Sequence, residues 1–125
     1  MTGVTLDAGA LIALDRDDRR MIALLVRAAE VGATVTVPAS VLAQAIRNPA
    51  RQARLTRFVR QASTHVVALD ASDATRIGLL LAATGTKDIA DAHVVVCARR
   101  ARQTIVTSDS RDLRRLDASI ELVKL

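Results

Sequence analysis

Short apolar runs alternate with helix-forming stretches along the whole chain, and this alternation limits the fold more than any other feature. Val4–Asp7, Thr34–Val37, His65–Leu69 and Thr104–Thr107 read as strands, with Ile120–Lys124 a candidate fifth. Between them the apolar residues recur at helical spacing. Ala8–Leu14 forms a first helix. A second, capped by Asp17 or Asp18, turns Met21, Leu24, Leu25 and Ala28 to one side and stops at Gly32. Pro38 and Ser40 open a third through Val41, Leu42, Ala45 and Ile46. Asn48-Pro49 starts a fourth that runs to about Ala62, with Leu55, Phe58, Val59 and Ala62 inward. A fifth is capped by Asp70 or Ser72 and closed by Gly85. A long helix spans Asp88–Arg102, and Ser110–Leu116 is a short one. Short apolar strands separated by helices predict an α/β fold. One domain over residues 1–125 holds a central, mostly parallel sheet of four to five short strands, flanked by helices on both faces.

Half the residues are hydrophobic, yet Phe58 is the one aromatic, so the core is made of Ala, Val, Leu and Ile. The single cysteine, Cys97, forms no internal disulfide; between Val96 and Ala98 on a helix it reads as a small buried thiol. A cytoplasmic, reducing setting fits this usage. Met1-Thr2-Gly3 leads directly into a strand, without a basic leader or long apolar span, so neither a signal peptide nor a membrane helix is expected.

Three aspartates stand where carboxylates do not belong for stability. Asp7 ends the run Val4-Thr5-Leu6, Asp109 follows Ile105-Val106-Thr107, and Asp91 lies one helical turn before Val94 and Val95. Aspartate is rarely buried unless it is paired or binds a metal. In open parallel sheets ligands bind beyond the strand carboxyl ends, where the strand order reverses. If strands one and four are neighbours, Asp7 and Asp109 share that crevice, and Asp91 leans over it from the start of the long helix. Asp88, one turn earlier, falls on the same side. Oxygen donors without cysteine or paired histidines suit Mg²⁺ or Mn²⁺, one ion or two. His93 points away from Asp91 and is expected to be a structural or surface residue.

The chain carries 18 basic and 13 acidic residues. If Asp7, Asp88, Asp91, Asp109 and Asp112 share one pocket, eight acids remain elsewhere, and the exterior carries about +10. Such a field attracts a polyanion. Arg51, Arg54, Arg57 and Arg60 recur along one helix, and Arg111, Arg114 and Arg115 follow Asp109 directly. Arg51, Arg54, Arg57, Arg111 and Arg115 are the candidate contacts to that polyanion, since guanidinium groups engage phosphates bidentately. With one aromatic residue, base stacking cannot dominate recognition.

The segments Leu6-Asp7-Ala8, Val37-Pro38-Ala39-Ser40-Val41-Leu42-Ala43-Gln44, Asp88-Ile89-Ala90-Asp91-Ala92-His93 and Thr107-Ser108-Asp109 resemble PIN domains, and more narrowly the VapC toxins of bacterial toxin–antitoxin pairs. The resemblance covers the whole length and keeps the motif order. It implies a Mg²⁺- or Mn²⁺-dependent endoribonuclease, usually a homodimer, held inactive by a VapB antitoxin. Asp7 matches the first family carboxylate, Asp91 the third and Asp109 the fourth, as catalytic and metal-holding residues. Gln44 stands where the second is usually glutamate. An amide oxygen still coordinates a hard cation but brings no charge, so a weak or silent PIN domain that binds RNA or a partner is the alternative. Asp88, Asp112, Thr107 and Ser108 are candidate outer-shell groups. Leu79, Leu80 and Leu81 supply apolar surface for a dimer. A two-component receiver domain is a more distant rival, with Asp70, Thr107 and Lys124 as its phosphoacceptor set. It expects paired acids after strand one, where Asp7 stands alone, and one helix rather than two between strands three and four.

Overall fold

The computed structural model describes residues 3–125. Met1 and Thr2, expected to lead into the first strand, lie outside the described residues. Five strands, β1 (Gly3–Leu6), β2 (Thr34–Pro38), β3 (Thr64–Val67), β4 (Thr104–Thr107) and β5 (Leu122–Lys124), form one sheet. Their order is β3-β2-β1-β4-β5 and every pair is parallel. A receiver-like, flavodoxin-type sheet runs 2-1-3-4-5; here β1 lies between β2 and β4, so that rival is set aside.

Seven helices connect the strands: α1 (Ala8–Asp15), α2 (Arg19–Glu30), α3 (Ala39–Ala45), α4 (Ala53–Val59), α5 (Ala71–Thr84), α6 (Ile89–Ala101) and α7 (Arg111–Leu116). β1 is buried along its whole length, and in β4 Ile105, Val106 and Thr107 are fully buried. Side chains alternate between the faces of a strand, so this burial requires cover on both sides. α6 is the central helix. It packs on β1, β2 and β4, and every residue from Ala92 to Ala98 is buried. Asp18 caps α2 through the Met21 N–H, and Asp70 caps α5 through the Asp73 N–H. Gly85 closes α5 in the left-handed region, at φ 67°.

Three sequence expectations need correction. The stretch after Asn48-Pro49 is not one helix. It is a 3-10 turn, Pro49–Arg51, followed by α4, and the break falls at Gln52. The Gln52 side chain turns inward, where its Oε1 accepts the Arg47 and Asn48 N–H groups and its Nε2 donates to the Ala45 carbonyl. One amide thereby satisfies three backbone groups that a continuous helix would have left open. α4 therefore ends at Val59, and Ala62 is exposed rather than inward. The third strand ends at Val67, two residues early, and Leu69 is exposed. No helix among the described residues is long and apolar enough to cross a membrane.

Candidate active site

The strand order reverses between β1 and β4, and Asp7 and Asp109 leave these two strands at their carboxyl ends. The Asp7 N–H donates to the Val106 carbonyl at 3.2 Å, which sets Asp7 beside the end of β4. Its Oδ1 accepts the Ala10 N–H at 2.8 Å and caps α1. Gly9 lets the loop after β4 come close, because a Cβ there would collide with Ser108 Oγ. Asp7 is 6% exposed. Burial pushes its carboxyl upward; the Thr107 hydroxyl and the Ala10 and Gly9 N–H groups oppose this, and the Asp109 charge adds to it.

Asp91 is half-buried in the first turn of α6. Burial, and then the charges of Asp88, Asp7, Asp112 and Asp109, push its carboxyl up to about 7. Four other acids lie close enough for their charge to act on this one carboxyl. Asp88 caps α6 by accepting the Asp91 N–H at 2.9 Å. Asp88, Asp91 and Asp112 also line a cleft of about 270 Å³ whose cationic wall is Lys87 and Arg115.

Asp109 is held from two sides. Thr107 Oγ1 accepts its N–H, fixing the loop. Arg111 engages its carboxylate with Nη2 at 3.1 Å and Nε at 3.3 Å. These bonds hold the Asp109 carboxyl below the usual carboxylate range. Arg111 thus serves as an internal counter-ion here.

The donor type suits a hard divalent cation, but among the described residues no three of these carboxylates bring ligand oxygens within 4.8 Å of one another. Carboxylates that repel one another around a half-buried acid are relieved by positive charge, and no softer donor lines the cleft.

The remaining predicted residues are spread more widely. Gln44 is solvent-exposed on α3. Arg54 and Arg57 border a larger apolar hollow of about 560 Å³, with Leu14, Ile22 and Phe58. Ala33, Val35 and Ser63 place this hollow at the amino ends of β2 and β3, the opposite edge of the sheet from Asp7. Arg54 also pairs with Asp17 at 3.3 Å. Arg51 is exposed on the 3-10 turn, while Arg115 lines the acidic cleft. Sequence reasoning missed the buried polar group on the other side of α6. There Asp73 receives Nη1 and Nη2 of Arg100 at 2.8 and 2.9 Å, and His93 Nδ1 meets Ser40 Oγ at 2.7 Å. The sequence separation of 27 between Asp73 and Arg100 hides their pairing; only the one-turn spacing of His93 and Cys97 was open to view.

A family model described as the PIN domain matches residues 4–119. The chain belongs to the PIN domain family. No curated protein matches the sequence. Among solved structures, a chain from the crystal structure of VapBC2 from Rickettsia felis, bound to a DNA fragment from their promoter, is similar in fold. The TM-score is 0.69 and the identity 17%, over 98% of each chain. The four quoted motifs, from Leu6 to Asp109, all lie within the span matched to the PIN domain.

Proposed function

We propose that this PIN domain, residues 1–125, is a metal-dependent endoribonuclease of VapC type. Its role would be the toxin of a toxin–antitoxin pair that limits growth or translation. PIN domains are generally nucleases, and the similar fold occurs in a VapBC complex. The strongest support is Asp91, a carboxyl raised to about 7 by burial and by four neighbouring acids. Perturbed carboxyls in a cleft mark functional sites.

In this proposal Asp7, Asp91 and Asp109 hold Mg²⁺ or Mn²⁺, one ion or two. When bound, such a cation polarises a phosphate and activates water for hydrolysis. Asp7 is fixed by its cap on α1, while Thr107 fixes the backbone of Asp109 and leaves its exposed carboxylate to Arg111. Asp88, Asp112 and Ser108 serve as outer groups. Arg115, and Arg111 once released from Asp109, are the arginines close enough to receive RNA phosphates at the crevice. A VapB-type antitoxin is the proposed protein partner, the cytoplasm the proposed location, and a homodimer the proposed assembly. α5 buries only Asp73 and Ile77, and Leu79 is 69% exposed; light scattering that gives a monomer at high micromolar concentration would defeat the dimer.

The decisive experiment incubates a structured RNA with the protein in Mg²⁺, Mn²⁺ or EDTA. Cleavage that needs the metal and disappears in Asp7→Asn/Asp109→Asn is the expected result. Asn keeps the α1 cap, so loss of activity reports the charge. A second reading has one observation in its favour, the uncharged and exposed Gln44. RNA binding without cleavage at any metal concentration would make this a silent PIN domain.

A further inference from the structure

We propose that Asp73, His93 and Cys97 form a second cation site, distinct from the carboxylate crevice, that takes Zn²⁺ through carboxylate, imidazole and thiolate. His93 and Cys97 are one turn apart on α6, so they share a face. Asp73 comes from the first turn of α5, which packs against α6. All three are buried, and their ligand atoms lie within 4.8 Å of one another. The crevice offers only hard oxygen donors in its carboxylates, whereas this set mixes O, N and S, the combination that selects zinc-like cations.

A second observation points to a ligand. His93 is 0% exposed, yet its Nε2 has no hydrogen-bond partner. The nearest polar atom, Asp73 Oδ2, is 3.6 Å away, too far for a hydrogen bond. Ser40 Oγ lies 2.7 Å from the other ring nitrogen. When Nδ1–H donates to Ser40, Nε2 carries a lone pair facing a carboxylate oxygen, and a cation between the two resolves that conflict. Metal-binding histidines characteristically use their second nitrogen in this way.

The geometry is close to what zinc needs. Bonds of about 2.0–2.3 Å in a tetrahedron require donor separations of about 3.5 Å. Nε2 and Oδ2 already stand at 3.6 Å. The thiol sulfur lies within 4.8 Å of both, so at most it has roughly 1 Å or a little more to close. Arg100 Nη2 now stands against both Asp73 Oδ2, at 2.9 Å, and Cys97 Sγ, at 4.0 Å, so the guanidinium must swing outward for the ion to enter, which its 48% exposed side chain allows. The balance is simple: Zn²⁺ replaces the proton of the Cys97 thiol, the S–H bond gives way to Zn–S, and one proton leaves to solvent. No electron moves. Because the thiol must give up this proton, affinity rises with pH.

The test uses the full chain, stripped with chelator and titrated with Co²⁺ alone. A thiolate–cobalt charge-transfer band in the near ultraviolet reports the site, and Zn²⁺ should abolish it. Cys97 is the only cysteine in the sequence, so no other thiol can produce the band. We expect one equivalent in the wild type and in Asp7→Asn/Asp109→Asn, no band in Cys97→Ser, and binding about tenfold weaker in Ser40→Ala. Circular dichroism checks that each variant is folded. Absence of the band in wild type at millimolar Co²⁺ would overturn the proposal. An undiminished band in both His93→Gln and Asp73→Asn would also do so, because the thiol would then be acting alone.

Discussion

Asp91→Asn should stabilise the protein in EDTA at pH 8 while abolishing cleavage. A carboxyl moved from 3.8 to about 7 would cost roughly 4 kcal/mol to ionise at ~1.4 kcal/mol per tenfold change in acidity, were it sealed from water. Asp91 is half-open, and solvent screening reduces this to about 1–2 kcal/mol. Removing a negative charge from the first turn of α6 gives back about 0.3–1 kcal/mol. The cap of α6 is unaffected, because Asp88 and not Asp91 supplies it. The net gain is about 1 kcal/mol, or about 4 °C in Tm for a chain of this length.

The sign of the pH dependence is fixed. The folded-state pKa lies above the unfolded value, so the proton's contribution is fully present below about pH 4 and is lost as pH rises through about 7. The advantage of Asn should therefore be absent at pH 4 and complete by pH 8. Mn²⁺ at 100 times its Kd adds about 2.7 kcal/mol to whichever protein binds it, so the order should invert when metal is supplied. Thermal melts at pH 4 and pH 8, with EDTA or Mn²⁺, test all of this. A variant that melts below wild type at pH 8 in EDTA would refute the reasoning and make Asp91 a structural anchor. An equal offset at both pH values would refute it too.

Gly9→Ala should lose the roughly 1 kcal/mol that alanine normally gains in a helix, because the new Cβ meets Ser108. Mn²⁺ affinity by calorimetry should fall and be partly restored in Gly9→Ala/Ser108→Ala; a raised Tm in the single variant would contradict the close approach. Arg100→Ala leaves the Asp73 charge buried and should cost about 2 kcal/mol at pH 7 in urea unfolding. Arg100 lowers the Asp73 pKa, so that loss is present above the unfolded value of 3.8 and should shrink as pH falls below it; an equal loss at pH 3 would mean that charge is not the cause. Gln44→Glu should tighten Mn²⁺ binding, lower the Tm in EDTA and speed cleavage; no change in any of the three would put residue 44 outside the crevice's field.

The sequence made the central geometry legible because the relevant residues sit at strand ends. Asp7 and Asp109 each terminate an apolar run, and the parallel-sheet rule brings such ends to one edge once β1 and β4 are neighbours. Asp91 was legible through helical spacing. Helical spacing could not say which edge of the sheet an arginine faces: Arg54 and Arg57 lie on the expected helix but border the hollow at the amino edge. The break at Gln52 left no periodic trace either, because it depends on one amide folding back onto neighbouring backbone. Pairings such as Asp73 with Arg100 join positions far apart in sequence and become visible only once α5 lies against α6.

The five crevice acids are not equivalent, and their differences indicate which of them a cation would serve most. Asp7 caps α1, Asp88 caps α6, and Asp109 is paired with Arg111. Each of these charges has an internal use. Asp112 has no such bond among the described residues, but it is exposed, and water screens it. Asp91 has neither a side-chain partner among the described residues nor full hydration, and it stands in the field of all four others. Its carboxyl is therefore the one driven furthest upward. Near pH 7 it is poised between holding a proton and holding a cation. A divalent ion that binds there displaces a proton the fold was already retaining, and it relieves the repulsion that Asp91 meets from the four other acids. The same carboxylate can thus be the least favourable charge in the empty crevice and the most useful one in the loaded crevice.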